Sequence, residues 1–472
     1  MAFPVDDHYG CAAGGIISAG RFVAPSWSPS AGQIKSISYA AGAHPDGRGA
    51  TLAEISPAFE DWNPNKPSVA LYGNSYQWGS YYGYCGSSFN TDSRQIVLYG
   101  TGHASINVCA PSCFDLKDLR WKWLDTPLPF DAFGQVWAAG IPQPPTRLHM
   151  ESYYPPEQYD YDWGDINGDW SGWPSGYGRP GKIQPVPNHT RATMMHIPAA
   201  VAGNAQGALL VSGAYSGVLS NAGNGGSHIF DYDTKTWRRT ANRFTFTGSR
   251  NFDPVTQKAV AFGDGETPST AYRVFDYLTD TWTTRTASAS ATSNTDHGGN
   301  VLHQKSRLLI IPNACNAAGQ VSYGGRLTAT YYKFWAVAFD AVIGTGAFAP
   351  SLLNITVAAG FPITSVGNNL YLGWSYCPED ACLYCINGEQ GSNKYWKLSP
   401  PAGAITQSDY LSGTWVVTEH LFADGVVQSP GATYTPRSMM YNRMQWDRVS
   451  RSFVFWPDSV DGPVQAWRPE GI

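Results

Sequence analysis

The chain has 472 residues, 43% of them apolar and only 14% charged, with a net charge of −5. That is ample for one large repeat domain or two to three ordinary ones, with enough apolar material for a core. The mild charge offers no broad basic surface for nucleic acid, and no run of eighteen apolar residues is present to insert in a membrane.

Fifty glycines, 33 prolines and 14% aromatic residues describe many short strands joined by turns, an all-β chain with little helix. The start, Met1 to Asp7, lacks a basic region followed by an apolar run and does not read as a secretory signal. Eight cysteines over this length are too sparse for a disulfide scaffold, which fits folding in a reducing cytoplasm. Residues 1 to 60 carry no repeat. They read as an N-terminal arm or cap placed to supply a closing strand, or else as a loosely ordered tail, ahead of the repeats in residues 61 to 472.

Two repeated signatures follow. The first is a hairpin in which Asp and Trp stand six apart: Phe114-Asp115 with Trp121, Phe230-Asp231 with Trp237, Phe275-Asp276 with Trp282, and Asp409 with Trp415. The Phe ends one strand, the Asp caps a tight turn through its side chain, and the Trp restarts the return strand. The second is a polar turn leading into four or five apolar residues. Copies enter at Asp92, Gly203, Asp253, His303, Glu379 and Asp447, and their apolar runs end at Tyr99, Val211, Phe262, Ile311, Ile386 and Trp456. Such runs suit strands buried on both faces, as in the sandwiched blades of a β-propeller. Six copies predict six blades, with a seventh possible around Val366 to Trp374.

Two stretches read as insertions. Residues 341 to 362 are apolar and bland. Residues 128 to 189 hold Tyr153, Tyr154, Tyr159, Tyr161, Trp163, Trp170 and Trp173, the candidate binding residues, since such a long aromatic loop serves function or an interface. Its acids Glu157, Asp160, Asp162 and Asp165 allow a glycosidase to be imagined, although acids among turn residues more often cap or face water. Asp165, Asn167 and Asp169 alternate oxygen ligands as calcium loops do, set against a simple Asx-turn; no other cofactor is called for. Arg191, Arg250 and Arg437 precede buried strands and are the channel candidates, or else pair with acids and carbonyls of neighbouring blades. Cys377, Cys382 and Cys385 invite a zinc reading, but 382 and 385 fall on opposite faces of a strand and no fourth ligand is near. Cys109 and Cys113 bracket a short loop and are expected to be reduced.

The repeats resemble kelch-type, galactose-oxidase-like β-propellers, although the kelch double glycine is replaced by the single Gly100, Gly213 and Gly263. The ending, Gln445-Trp446-Asp447-Arg448 through Phe453 to Trp456 and Val464 to Pro469, resembles the last blade of uncharacterised kelch-like proteins of tailed bacteriophages, as does Lys394 to Pro401. The resemblance spans roughly residues 85 to 472. It implies a virion component, assembled in the host cytoplasm, sitting among other virion proteins in a symmetric assembly, with a host-surface glycan or receptor as its ligand. A galactose-oxidase-like copper site would need two His, two Tyr and a Cys; His297 and His303 are available, but no such constellation stands out. The alternatives are a carbohydrate-active enzyme on the same fold and a cytoplasmic kelch-type interaction module.

Overall fold

A computed structural model of the chain describes residues 25–37, 86–99, 111–124, 160–162, 183–185, 193–212, 227–242, 250–262, 269–291, 300–316, 330–357, 374–386, 391–428, 443–456 and 463–472. Among the described residues, β1 (Ile34–Ser36) precedes the first complete sheet. The first blade is β2 (Ser87–Asn90), β3 (Gln95–Leu98), β4 (Ser112–Asp115) and β5 (Arg120–Trp123). In the second, β6 (Asp160–Asp162) and β7 (Ile183–Pro185) join β8 (Met194–Ile197), β9 (Ala208–Ser212), β10 (Ser227–Asp231) and β11 (Thr236–Arg239). The third runs β12 (Arg250–Asp253), β13 (Lys258–Phe262), β14 (Ser269–Asp276) and β15 (Thr281–Ala291).

The fourth blade is β16 (Val301–His303), β17 (Leu308–Asn316), β18 (Thr330–Ala338) and β19 (Ser351–Leu352). The fifth holds β20 (Asn354–Val357), β21 (Trp374–Cys377), β22 (Cys382–Ile386), β23 (Lys394–Ser399) and β24 (Thr414–Leu421). The last is β25 (Gln445–Asp447), β26 (Ser452–Phe455) and β27 (Gln465–Trp467), completed on the outside by β1. The first strands of successive blades lie side by side, β2 to β8, β12, β16, β21 and β25, and β25 returns to β2. The result is a six-bladed β-propeller, and no seventh blade is needed to close it.

The apolar runs have a direct structural reason. Successive residues of a strand point to opposite faces, and here each face meets a different neighbour. On β3 and the residue after it, Ile96 and Leu98 pack toward the last blade with Val454 and Trp456, while Val97 and Tyr99 pack toward the second with Leu209 and Phe230. Six apolar clusters fill the six seams between blades. The Trp of each hairpin is the second residue of its blade's fourth strand and is buried in the seam shared with the preceding blade: Trp121, Trp237 and Trp282. Each packs against its cross-strand Phe, edge-on or tilted, with ring centroids 5.5, 5.0 and 5.0 Å apart.

The tight turns follow one plan. Asp231 Oδ1 accepts the amide N–H groups of Asp233 and Thr234, both at 2.9 Å. Asn90, Asp115, Asp253, Asp276 and Asp447 do the same in their turns. The fourth turn residue takes a left-handed backbone, with φ between 50° and 59° at Arg94, Leu119, Lys235, Gln257, Asp280, Arg307, Ala381 and Arg451. The side-chain caps fix two otherwise orphaned amides and offset that local cost.

Three expectations are corrected. Asp409 caps no hairpin: it lies in the helix Gln407–Ser412, where its carboxylate and the Thr406 side chain form a capping box. Trp415 nevertheless takes the same seam position as the other tryptophans, second in β24. Residues 341 to 362 are no plain insertion, because β19 is the outer strand of the fourth blade and β20 adds a parallel strand outside β24. Asp160 and Asp162 belong to a strand and not to a turn-rich loop.

The ring closes through its N-terminal strand. Ile34, Lys35 and Ser36 pair with Trp467, Ala466 and Gln465, so the last blade takes three strands from the end of the chain and one from near its start. On its other side Ile34 donates its amide to the Asp424 carbonyl at 3.0 Å. Gly425 makes this approach possible: it has φ +84°, and a Cβ there would lie 2.0 Å from the Ile34 carbonyl oxygen.

Candidate functional site

Within each antiparallel blade, the turns between first and second strands and between third and fourth leave on one face of the ring. The second-to-third and fourth-to-first connections leave on the other. On the turn face several charged side chains join neighbouring blades.

The left-handed residue of a blade's first turn reaches back to an acid of the preceding blade. Arg94 Nη2 lies 2.7 Å from Asp447 Oδ2, Arg307 Nη2 lies 2.8 Å from Asp253 Oδ2, and Arg451 Nη2 lies 3.6 Å from Glu379 Oε2. Arg307 also forks onto Asp340, at 2.7 and 2.6 Å. Burial works against the Asp253 carboxylate, yet its bonds from Arg307 and Thr256 outweigh that and hold its pKa below the usual value.

Two histidines serve the same purpose. His196 Nε2 meets Asp92 Oδ2 at 2.8 Å across the first seam, and the Ala199 amide donates to the same oxygen at 2.8 Å. Against burial, these bonds lower the Asp92 pKa. His303 is fully buried, with Tyr376, Tyr410 and Trp415 around its ring at 5.1, 5.4 and 5.3 Å. Its Nε2 donates to the Ala381 carbonyl of the fifth blade at 2.8 Å, and its Nδ1 faces Ser306 Oγ at 2.7 Å. Burial pushes its pKa down to about 4, helped by Lys305 and opposed by the Ala381 bond. His303 is therefore a neutral staple in an aromatic box.

Side-chain amides add staples. Asn242 accepts the Trp282 amide N–H and donates to the Trp282 carbonyl, both at 2.6 Å. Asn251 likewise accepts from the Leu302 amide at 2.7 Å and donates to the Asn300 carbonyl at 3.1 Å. These staples were not singled out from sequence. A signal was present for the arginines, since Ser-Arg recurs at the end of the first turn in Ser93-Arg94, Ser306-Arg307 and Ser450-Arg451.

The opposite face is where the long connections leave: the ends of β3, β5, β9, β11, β13, β15 and β17 all point there. Arg250 opens the innermost strand β12 at that end, paired with Ala261. Tyr161 lies on β6, in parallel register with Gln184 of β7, which joins β11 through Ile183 opposite Trp237. The described parts of residues 128–189, β6 and β7, thus extend the outer edge of the second blade. Six strands at about 4.8 Å spacing put Tyr161 roughly 24 Å out from the axial strand β8. The structure therefore places Tyr161 on the rim strand of the second blade and Arg250 on an axial strand of the third.

Tyr153, Tyr154, Tyr159, Trp163, Trp170, Trp173, Arg191, Arg437 and the calcium candidates Asp165, Asn167 and Asp169 lie outside the described residues, as do His297 and Cys109. Among the described residues no group of three or more His, Cys, Asp or Glu is placed to hold a metal ion. Cys113, Cys377, Cys382 and Cys385 are buried free thiols, and Cys382 and Cys385 do face different seams. No described helix is long and apolar enough to cross a membrane.

No protein-family model and no curated protein sequence matches the chain. Solved structures do. Hydrazine synthase of Kuenenia stuttgartiensis aligns over 80% of this chain and 82% of its own, at 10% identity and a TM-score of 0.40. A fungal alcohol oxidase of the AA5 family, in complex with copper, aligns over 82% of this chain and 62% of its own, at 12% identity and a TM-score of 0.36. The six-bladed ring is read from this chain's own sheets and not from those likenesses.

Proposed function

We propose that the chain is a structural component of a tailed-bacteriophage virion, a rigid ring whose loop face and second-blade rim bear an attachment surface for a host-surface glycan or receptor. The observation that carries this reading is that β6 and β7, from within the aromatic-rich residues 128–189, join the second blade's sheet at β11. A segment with that many Tyr and Trp offers large, rigid contact area of the kind that sugars and protein partners bury. Supporting it is a division of labour. Several charges at the turns staple neighbouring blades, so loops on the opposite face can vary without disturbing those contacts. The blade ending that resembles phage kelch-like proteins points to a virion as the setting.

The test is biochemical. Particles purified through a density gradient are expected to contain the chain at fixed stoichiometry, and antibodies to it should decorate them. Absence from mature particles, or copper-dependent oxidase activity of the purified chain, would contradict the reading.

A further inference from the structure

Cys377 ends β21 and Cys382 begins β22, and the two are direct register partners across the first turn of the fifth blade. Residues directly opposite in an antiparallel pair share a face, with Cα atoms about 4.5–5.5 Å apart, inside the range of about 4.4–6.8 Å that a disulfide spans. Both thiols are free and lie in the same seam, against Tyr384 and Phe453. Cys385 cannot compete for either, since it faces the seam on the other side of the sheet.

We infer that Cys377 and Cys382 form a redox-modification site, a dithiol that a small-molecule disulfide oxidant closes to an intrachain bridge. The surroundings suit the chemistry. Cys377 stands where other turns carry Asp, and its sulfur takes the amides of Glu379 and Asp380 as those carboxylates do. The Lys397 ammonium, held 2.8 Å from Asp380, partly offsets the Asp380 carboxylate, which opposes ionisation of both sulfurs. Cys382 donates to the Asp380 carbonyl at 3.4 Å and lies 3.9 Å from Ser399 Oγ. Burial opposes ionisation and pushes the Cys382 thiol up to about 11, so closure is slow at neutral pH. Cys382 keeps the residual exposure, 4% against 0% for Cys377, and is the entry point.

The exchange balances. The Cys382 thiolate attacks one sulfur of the oxidant R–S–S–R, forming a mixed disulfide and releasing one RS⁻. The Cys377 thiolate then attacks the Cys382 sulfur and releases the second RS⁻. Two protein thiols lose two electrons, the oxidant's S–S bond gains them, and the two protons end on the released thiols. This inference stands on the hairpin alone and is independent of the proposed virion role.

The folded full-length chain is incubated with oxidised glutathione, alkylated, and digested with a protease that cuts after Glu379. The expected result is one linked pair of peptides, two hydrogens lighter than the sum of its parts, joined through Cys377 and Cys382 and released by dithiothreitol. Thiol titration should fall by two per chain, and in Cys382→Ser the Cys377 thiol should stay free of any protein disulfide. Alkylation of both thiols after oxidation, a link from Cys377 to any other cysteine, or closure only after denaturation would overturn the inference.

Discussion

Arg94 and Asp447 join the two ends of the ring, with Nη2 of the first blade's turn residue 2.7 Å from Oδ2 of the last blade's cap. Nε reaches the second oxygen at 3.3 Å, making a forked contact in which the Asp447 side chain is only 2% exposed. Removing one partner of so buried a pair leaves a charge without its counterion. Arg94→Ala is expected to cost about 3–5 kcal/mol in urea unfolding. Arg451→Ala, whose pair with Glu379 is longer and more than a third exposed, should cost under about 1 kcal/mol. Equal costs for the two would contradict a closure role for Arg94.

His303 makes stability depend on pH. Its folded pKa of about 4 lies below its ordinary 6.5, so between those values the unfolded chain binds a proton that the folded chain refuses. Its contribution is present above pH 6.5 and is lost as pH falls toward 4, about 3 kcal/mol in all. The capping carboxylates, with pKa values lowered from 3.8 at Asp92, Asp115, Asp253 and Asp380, lose their contribution only at lower pH. Melting curves of the native chain should therefore slope between pH 6.5 and 4, and those of His303→Gln should be flatter there. Parallel slopes would refute the assignment.

The hairpin tryptophans are core. Trp237→Ala and Trp282→Ala each empty a seam where the ring is 6% and 2% exposed, and should destabilise by about 3–5 kcal/mol. A cost below about 1 kcal/mol, measured by denaturant unfolding, would show that the seams do not depend on them.

Ala381 gives the turns a separate test. It holds φ at 56° and lends only its carbonyl to His303. Ala381→Gly should relieve the left-handed strain and stabilise by about 0.5–1 kcal/mol. A destabilised variant would mean that the methyl packs usefully in the seam.

Much of this fold was legible because its signals are periodic. Runs such as Gln95 to Tyr99 alternate between two seams, and the Phe-Asp…Trp frame specifies both a cap and a seam anchor. What escaped reading lacks a period. Asp409 keeps the spacing of a turn cap, but Thr406 three residues earlier recruits it into a helix N-terminus, a competition that spacing alone cannot decide. The strand β19 has two residues, and β20 adds in parallel to a distant partner, so neither shows alternation. The amide staples Asn242 and Asn251 depend on which blades become neighbours, which no local pattern encodes. Of the site, only Tyr161 and Arg250 are placed by their strands, one at the rim and one at the axis.

The most direct measurement is binding of the purified full-length chain to intact host cells, comparing two triple variants. One carries Tyr154→Ala, Trp163→Ala and Trp170→Ala in the insertion; the other carries Val255→Ser, Leu278→Ser and Val449→Ser at exposed positions of the turn face. With both variants folded, the insertion variant is expected to lose binding at least tenfold, a change of about 1.4 kcal/mol, while the turn-face variant binds as the native chain does. Undiminished binding by the insertion variant, or loss confined to the turn-face variant, would contradict the account.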